Sequence, residues 1–466
     1  MKPELLAPAG NFEKMKTAFA FGADAVYLGI PDFSLRVRIN DFSIADIKKA
    51  VKYAHDTSKR VYVTVNIFAH NKQLKKLPNY IKELKSIKLD GLFVSDPGVL
   101  AVVKKIWPKA NIILSTQANC TNWQSAKFWQ SQGVSRVILG RELSLEEVRE
   151  IKKNVPGLEI ETFVHGALCM SYSGRCFLSK FYNERSANLG DCSQPCRWSY
   201  KRMATNRPQM ATNKNTKGRE LLIKAEGHEM VELVEEEHGS YILNSKDLCL
   251  IKRLPELMVA GIDAFKIEGR AKSVYYLANV VGAYRRAIDL IRSEFPNNIR
   301  MPRISNTRIK KELEVLYKEL EEKLYHRGYT EGFMFGEGKL AQNLENSHNV
   351  PRWEFCGQVY NATPFAKATE VKNAANYMQI PQITNNANLV CVRVHNTMKV
   401  EDEIEIIQPG YDIIKLKLKK MVDAKTGENV KEAHGGGSED VVLIEADREV
   451  PEYSVIRRKI KKSTNP

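Results

Sequence analysis

The sequence predicts an α/β protein: a (β/α)8 barrel with a long insertion after its seventh strand, then a small C-terminal antiparallel β-barrel domain. Short β-branched runs alternate eight times with amphipathic helical stretches, which is the pattern of a closed parallel barrel. From about Trp353 the pattern changes to short alternating strands separated by turns rich in Gly, Asn, Asp and Pro. An open doubly wound sheet is the competing arrangement for the first part, and the eightfold count favours the TIM-like barrel.

The length requires more than one hydrophobic core. The chain has 466 residues, of which 43% are hydrophobic and 27% are charged. We expect the barrel over residues 1–295 with its insertion at 168–245, a helical linker over 296–345 and the β domain over 350–462. The linker contains one highly charged helix, which is most simply a solvated strut.

The charge balance favours a polyanionic partner. The chain carries 71 Lys and Arg against 55 Asp and Glu, a net charge of +16, which suits nucleic acid, although a basic protein can also be basic only for solubility. The N-terminus lacks the pattern of a signal peptide, and no window approaches 18 uninterrupted apolar residues. We therefore expect a cytoplasmic protein with no membrane partner, whose thiols stay reduced.

The barrel elements follow in order along the chain. The predicted strands are Glu4–Ala7, Ala25–Gly29, Val61–Asn66, Gly91–Ser95, Asn111–Thr116, Arg136–Leu139, Leu158–Val164 and Ala264–Glu268. The predicted helices are Phe12–Phe21, Ile44–His55, Tyr80–Ser86, Gly98–Ile106, Trp123–Gln132, Leu145–Lys153, Cys249–Met258 and a long one from Ser273 to about Ile291. Ser144 and Glu147 form a capping box before the sixth helix.

Polar residues follow the predicted strands and should meet at the carboxyl-end rim of the barrel, where active sites form. Any one of them is more often solvated than functional, so the argument depends on the set. The rim candidates are Asn66, Gln117, Arg141, His165, Glu268 and Arg270.

The insertion begins with four cysteines, Cys169, Cys176, Cys192 and Cys196, in the spacing C-x(6)-C-x(15)-C-x(3)-C. Four thiolates in one glycine-containing loop favour a metal centre over free thiols. Structural zinc sites usually pair cysteines that are two to four residues apart, and only Cys192 and Cys196 have that spacing. An iron–sulfur cluster is therefore modestly favoured over a zinc ion, and both stay open. The other four cysteines are scattered singly along the chain.

A basic segment, residues 201–219, follows the cysteines and contains no acidic residue. It has little to bury, so we expect an anionic partner such as RNA to order it. Trp198 and Tyr200 beside it could stack on bases or pack the cysteine loop, and the sequence does not distinguish the two. The candidate phosphate-binding residues are Lys201, Arg202, Arg207, Lys214, Lys217 and Arg219.

The cysteine stretch ETFVHGALCMSYSGRCFLS closely resembles the signature of family thirty-two of the peptidases of unknown mechanism (U), whose members are often described as collagenases. The resemblance extends to PELLAPAG, GADAVYLG, VTVNIFAH, NLGDCSQPCRWSY, FKIEGRAKS and VRVHNTMKVEDEIEI, and so covers nearly the whole chain. Within the family, the length and the C-terminal β module are similar to the prephenate-dependent tRNA uridine hydroxylases.

The resemblance implies that Cys169, Cys176, Cys192 and Cys196 carry a [4Fe-4S] cluster, with Cys249 an outside candidate for the fourth ligand. It also implies that the substrate is the wobble uridine of a tRNA anticodon loop, converted to 5-hydroxyuridine with prephenate as co-substrate. A dicarboxylate at the rim favours guanidinium groups, so we expect it near Asn66, Gln117, Arg141, Lys266, Glu268 and Arg270.

His165 and Arg175 are the candidate catalytic residues: a histidine at the end of the seventh strand could move a proton, although a satisfied rim histidine is equally common. A peptidase is the first alternative function, but the chain has neither an HExxH motif nor a G-x-S-x-G elbow, which leaves only a Cys169–His165 pair. The second alternative is a non-catalytic RNA-binding factor that is stabilised by a structural zinc ion.

Overall fold

The structure is a computed structural model that describes most of both predicted domains. The described residues are 2–30, 33–35, 42–169, 171–172, 175–187, 191–197, 200–203, 219–225, 230–235, 245–295, 307–336, 341, 348–360, 389–436 and 440–460. For residues 197, 200–203, 219–225 and 230–235, the structure describes the backbone but not the side chains.

The first part of the chain alternates strands and helices as predicted. The strands are β1 (Glu4–Pro8), β2 (Ala25–Leu28), β3 (Arg60–Val65), β4 (Gly91–Val94), β5 (Ile112–Leu114), β6 (Arg136–Ile138) and β7 (Glu159–Gly166). The helices are α1 (Phe12–Ala20), α2 (Ile44–Asp56), α3 (Asn71–Ser86), α4 (Pro97–Ile106), α5 (Trp123–Ser131) and α6 (Leu145–Asn154). The strands are buried along nearly their whole length, because helices cover the sheet on one side and the barrel interior fills the other.

Local sequence signals explain most helix boundaries. Asn11, Ser43, Asp96 and Ser144 each accept a backbone hydrogen bond as N-caps, and the predicted capping box at Ser144 is present. Helix α3 begins nine residues before its predicted start at Tyr80. The helix contains Pro78, a residue that usually ends helices, and continues through it with one backbone hydrogen bond fewer.

The insertion forms one short helix and a separate small sheet. Its elements are α7 (Leu178–Asn183), β8 (Tyr200–Met203), β9 (Arg219–Ala225) and β10 (Met230–Glu235), and the strands pair antiparallel in the order β10-β9-β8. The two ends of the basic segment therefore belong to strands. Lys201 and Arg202 lie in β8 and Arg219 in β9, while Arg207, Lys214 and Lys217 lie outside the described residues.

The chain then returns to close the barrel. The next elements are β11 (Asp247–Cys249), α8 (Leu254–Val259), β12 (Ala264–Ile267) and α9 (Val274–Glu294). Strand β12 pairs in parallel with both β1 and β7, which closes an eight-stranded parallel barrel and confirms the predicted fold. The helix predicted from Cys249 is wrong at its start, because Cys249 ends β11 against β7 and α8 begins only at Leu254.

The segment predicted as a linker is part of the barrel domain. It contains α10 (Thr307–Lys323), β13 (Tyr329–Thr330) and α11 (Gly332–Phe335). Ile309, Leu313, Leu316 and Leu320 of α10 are buried in the barrel's hydrophobic core, so the expectation of a solvated strut is wrong. Strand β13 pairs in parallel with β11 and extends the barrel sheet to ten strands.

The C-terminal domain is antiparallel, as predicted. Its strands are β14 (Trp353–Val359), β15 (Leu389–Val394), β16 (Met398–Lys399), β17 (Glu403–Ile407), β18 (Ile413–Lys417), β19 (Met421–Asp423), β20 (Asn429–Val430), β21 (Glu432–Ala433), β22 (Val441–Glu445) and β23 (Val455–Lys459). Eight of them form one sheet in the order β18-β17-β23-β14-β15-β22-β19-β20. The two outer strands of this sheet, β18 and β20, do not pair with each other among the described residues, so the sheet forms a half-barrel. The predicted strand AKATEVKN lies outside the described residues.

Buried charges join the two domains. The Arg457 side chain, on β23, is fully buried and donates to Glu405 at 2.6 Å, to Glu319 of α10 at 2.6 Å and to Asn279 of α9 at 3.3 Å. Such a charge is tolerated inside a protein only when it is fully paired, so this contact fixes the β domain against the barrel. No helix in the described part of the chain is both long and apolar enough to cross a membrane.

Candidate active site

The carboxyl ends of β3, β4 and β5 bring several polar side chains together inside the barrel mouth. Asn66 Oδ1 accepts a hydrogen bond from the backbone of Leu35 at 3.2 Å, and its Nδ2 donates to Ser115 Oγ at 3.2 Å. Ser95 Oγ donates to the Asn66 carbonyl at 3.2 Å. The structure thus places Asn66 at the rim, as predicted, in a cross-strand hydrogen-bond network.

Arg270 closes the opposite side of this network. Its guanidinium group is buried and donates to Ser34 Oγ at 2.7 Å, to Thr64 Oγ1 at 3.4 Å and to the Leu35 carbonyl. Ser34 and Thr64 are themselves 2.5 Å apart between their hydroxyl oxygens. Arg270 therefore holds residues 33–35 over the mouth through neutral oxygen acceptors.

Lys266 lies deeper in the barrel than the rim. Its Nζ is 3.0 Å from Glu161 Oε1, 3.7 Å from the ring centroid of Phe93 and 4.3 Å from that of Tyr27. Burial lowers the pKa of Lys266 to about 8, and the Glu161 carboxylate opposes that shift. The ion-pair partner of Lys266 is thus Glu161.

A second buried cation shares Glu161. Arg136 donates to Glu161 Oε2 at 3.2 Å and to Glu4 Oε2 at 2.5 Å, and Tyr62 donates to Glu4 Oε1 at 2.9 Å. These interior charges are not among the site residues predicted from sequence. The signal was present, because Arg136 and Glu161 lie within strands that the pattern predicts to be buried, where a charge requires a partner.

Two guanidinium groups hold the backbone that leads into Cys169. Arg141 Nη1 donates to the Ala167 carbonyl at 2.7 Å, while its guanidinium carbon lies 4.3 Å from the centroid of Phe163. Arg327 Nη2 donates to the next carbonyl, that of Leu168, at 3.3 Å. The first cysteine therefore leaves the barrel from a fixed point on the rim.

Arg327 is itself fixed by Asp247. Its Nε and Nη2 donate to Asp247 Oδ1 at 3.1 and 2.6 Å, its backbone amide donates to Oδ2 at 3.2 Å, and both side chains are buried. This pair was not predicted, because Arg327 lies in the segment that the sequence assigns to the linker. Local sequence gives no signal that joins two residues so far apart along the chain.

His165 does not lie at the open mouth. Phe163 pairs with Lys266 and His165 pairs with Ile267, so β7 contains a bulge that turns His165 towards α9 and β13. Its ring lies 5.4–5.9 Å from the rings of Tyr276, Tyr284 and Tyr329.

Burial in this aromatic pocket lowers the pKa of His165 to about 3, and its Nδ1 has no hydrogen-bond partner among the described residues. Because a general base works best with a pKa near the working pH, this position is poorly suited to proton transfer at neutral pH. A catalytic role for His165 stays a prediction.

The remaining rim candidates are placed as follows. Gln117 follows β5, and its buried Oε1 has no hydrogen-bond partner in the part of the chain that the structure describes; the same holds for Nε of Arg141. Glu268 is buried beside Gly166, whose φ of +110° and lack of a side chain allow the close approach of the Glu268 backbone. Arg175 is exposed on the cysteine-bearing segment.

The four clustered cysteines are more exposed than Cys120, Cys249 and Cys356, which are buried. Cys169 and Cys192 are exposed and Cys176 and Cys196 are half-buried, although free cysteine is one of the most buried residue types. By donor chemistry, four accessible thiols on one rim segment fit a sulfur-ligated centre. Among the described residues, no three His, Cys, Asp or Glu side chains are grouped closely enough to hold a single metal ion.

Cys249 belongs to the barrel core. It is buried behind Tyr284, whose hydroxyl lies 4.0 Å from Sγ, and burial raises the pKa of the Cys249 thiol to about 12. A ligand must be a thiolate, and this environment disfavours the thiolate. The position gives Cys249 little access to the rim segment that carries the other four thiols.

Comparison with known proteins follows the same division of the chain. Residues 10–343 match the model of peptidase family U32, and residues 379–457 match the model of the peptidase family U32 C-terminal domain. The chain belongs to peptidase family U32. The first match ends beyond β13, in agreement with the packing of α10 and β13 into the barrel domain of this U32 protein.

Several relatives have been given functional names. The chain is 37% identical to "tRNA hydroxylation protein P" of Escherichia coli, over 98% of this chain and 97% of that protein. It is also 37% identical to the protein of the same name from Haemophilus influenzae, over 94% of this chain and 92% of that one. A more partial U32 relative, the "23S rRNA 5-hydroxycytidine C2501 synthase" of Escherichia coli, is 34% identical over 71% of this chain and 45% of its own length.

Proposed function

We propose that this U32 protein is a tRNA-modifying enzyme that hydroxylates the wobble uridine to 5-hydroxyuridine. The observation that carries the proposal is the match, over nearly the full length of both chains, to two proteins named tRNA hydroxylation protein P. The shorter match to a 5-hydroxycytidine synthase acting on 23S rRNA supports the same reaction class, hydroxylation of a pyrimidine in RNA. The net charge of +16 supports an RNA substrate.

Cys169, Cys176, Cys192 and Cys196 are the proposed ligands of a [4Fe-4S] cluster. Their spacing and their accessibility on one rim segment support this assignment. When bound, the cluster would supply redox chemistry at the barrel mouth.

Prephenate is the proposed co-substrate, and Arg141 is the best candidate to bind one of its carboxylates. Its guanidinium group is half-buried at the rim, and its Nε has no hydrogen-bond partner among the described residues. Charge-assisted hydrogen bonds to a carboxylate are about twice as strong as neutral ones, which suits this position. Lys266, by contrast, is already paired with Glu161.

The test is nucleoside mass spectrometry of tRNA from a deletion strain. We expect 5-hydroxyuridine to disappear in the deletion strain and to return with the wild-type gene, but not with Cys169→Ser or Cys192→Ser. Cys391→Ser, a half-buried thiol of the β domain, is the matched control and should restore the nucleoside. Anaerobically purified protein should carry about four iron and four sulfide per chain. Equal 5-hydroxyuridine with and without the gene contradicts the proposal, and full activity in colourless, iron-free protein contradicts the cluster.

Peptidase activity is the second candidate, and the family's name favours it. The contacts of His165 argue against a Cys169–His165 pair, because His165 is enclosed by tyrosines while Cys169 is exposed. Cleavage of denatured collagen by the wild-type protein, abolished by Cys169→Ser, would establish that activity instead.

A further inference from the structure

The cysteine-bearing segment displays three aromatic side chains to solvent. Tyr172 is 55% exposed, Phe177 is 73% exposed and Phe181 is 72% exposed. Leaving such rings in water forgoes hydrophobic stabilisation, so a group of them marks an interaction surface. Elsewhere in the described ranges, the large exposed aromatic side chains are far apart in sequence: Phe128, Tyr325 and Tyr360.

Phe177 is the N-cap of α7, and Phe181 lies within the helix. The backbone amide of Phe181 donates to the Phe177 carbonyl at 2.8 Å, so the two residues are one helical turn apart on the same side of α7. The ring of Phe181 meets that of Tyr182 edge to face, with 5.1 Å between centroids. The aromatic surface is therefore continuous over more than one ring.

The opposite side of α7 is anchored to the segment around Cys192. Ser179 is fully buried, and its Oγ accepts a hydrogen bond from the Ser193 amide at 2.9 Å. Ser193 Oγ donates to Asn183 Oδ1 at 2.6 Å. This packing faces the polar side of the helix inward and leaves the aromatic side in solvent.

Cations accompany the rings. Arg175 and Lys180 are exposed on the same segment, and Lys180 extends over the C-terminus of α7, where its Nζ donates to the Glu184 carbonyl at 3.2 Å. Single-stranded RNA is bound by this combination, because the bases stack on aromatic rings while Lys and Arg meet the phosphates.

We propose that Tyr172, Phe177 and Phe181, named here the α7 platform, stack against bases of the single-stranded RNA loop that presents the target nucleotide. The inference rests on the proposed function and names the surface that holds the substrate beside Cys169 and Cys176. Trp198 and Tyr200, the stacking candidates from sequence, have side chains outside the described part of the chain.

The test measures binding of an unmodified anticodon stem–loop RNA to the full-length, anaerobically purified protein by fluorescence anisotropy. Phe177→Ala and Phe181→Ala should each weaken binding between about fivefold and about 150-fold, the range for loss of one base–aromatic stack. Phe177→Leu keeps an apolar side chain and should still weaken binding, because stacking requires the ring. Phe128→Ala, an exposed aromatic on α5, is the matched control and should bind like wild type.

Two further measurements separate this proposal from the proposed function. Salt dependence of binding should keep its slope in Phe177→Ala but become shallower in Lys180→Gln, because only the second variant removes a cation that meets a phosphate. Photocrosslinking of a 4-thiouridine-substituted loop should label platform residues.

If wild type hydroxylates tRNA but the phenylalanine variants bind within twofold of it, the platform is refuted and the proposed function stands. If wild type neither binds the loop nor hydroxylates tRNA, the proposed function fails. A wild-type dimer that Phe177→Ala dissociates, seen by light scattering, would assign the surface to a second copy of the chain and overturn its assignment to RNA.

Discussion

Replacement of Arg327 should release the backbone that leads into Cys169. Arg327 connects three segments that are distant in sequence: the turn before β13, Asp247 at the start of β11, and Leu168 after β7. Arg327→Met keeps much of the apolar stem but removes the side-chain hydrogen bonds to Asp247 and the one to the Leu168 carbonyl. Asp247 would remain buried after losing the guanidinium group that now pairs with it.

The expected cost is about 3–5 kcal/mol of unfolding free energy, the range for removing one partner of a buried ion pair. Both side chains are about one-tenth exposed or less, so solvent screens the pair only weakly. In the double variant Asp247→Asn with Arg327→Met the buried charge is gone, so we expect part of the stability to return. The structural effect should concentrate at residues 166–169, which lose one of their two anchoring guanidinium groups.

Urea denaturation and hydrogen-exchange mass spectrometry measure these two effects. Arg253→Met is the matched control: Arg253 pairs with Glu331 at 2.9 Å and with Glu256 at 3.3 Å, but its side chain is 39% exposed, so its loss should cost no more than about 1 kcal/mol. Exchange around Cys169 should accelerate in Arg327→Met alone. Equal stability of the two variants, with unchanged exchange at 166–169, would refute the reasoning.

Two further predictions concern buried groups. Burial lowers the pKa of His165 from 6.5 to about 3, so as the pH falls the histidine is protonated in the unfolded chain before it is protonated in the folded protein. The contribution of neutral His165 to the free energy of unfolding is therefore complete above pH 6.5 and declines below it by about 1.4 kcal/mol per pH unit. In urea titrations, the free energy of unfolding of His165→Gln should therefore fall less steeply with decreasing pH than that of wild type, with His55→Gln as the control. Identical pH dependence in His165→Gln and wild type would contradict the lowered pKa of His165. Arg457→Met should destabilise the protein by about 3 kcal/mol, the lower end of the range for breaking a buried ion pair, because Glu405 loses the buried guanidinium group but keeps Lys323 at 3.4 Å. Arg458→Met removes a more exposed cation from Glu354 and should cost about 1 kcal/mol or less. Thermal denaturation compares the two variants, and similar midpoints would show that Arg457 does not join the domains.

The sequence determined the elements whose signals are local. β-branched runs gave the eight barrel strands to within about two residues, and capping residues such as Ser144 gave helix starts, because both depend on neighbours along the chain. The cysteine spacing selected the segment that carries the exposed thiols, and the family signature within it agrees with the U32 match. The early start of α3 was not predicted, and the helix passes through Pro78 because packing of its apolar side outweighs the local preference of proline.

Only the tertiary structure decided which side chains meet. The bulge in β7 that turns His165 away from the mouth arises from pairing with β12, about 100 residues later in the chain. The Arg327–Asp247 pair and the burial of α10 likewise require a closed barrel before their partners are adjacent. Sequence periodicity records which residues are buried, but not which buried residues are neighbours, because closing the barrel brings together segments whose separation along the chain leaves no local trace.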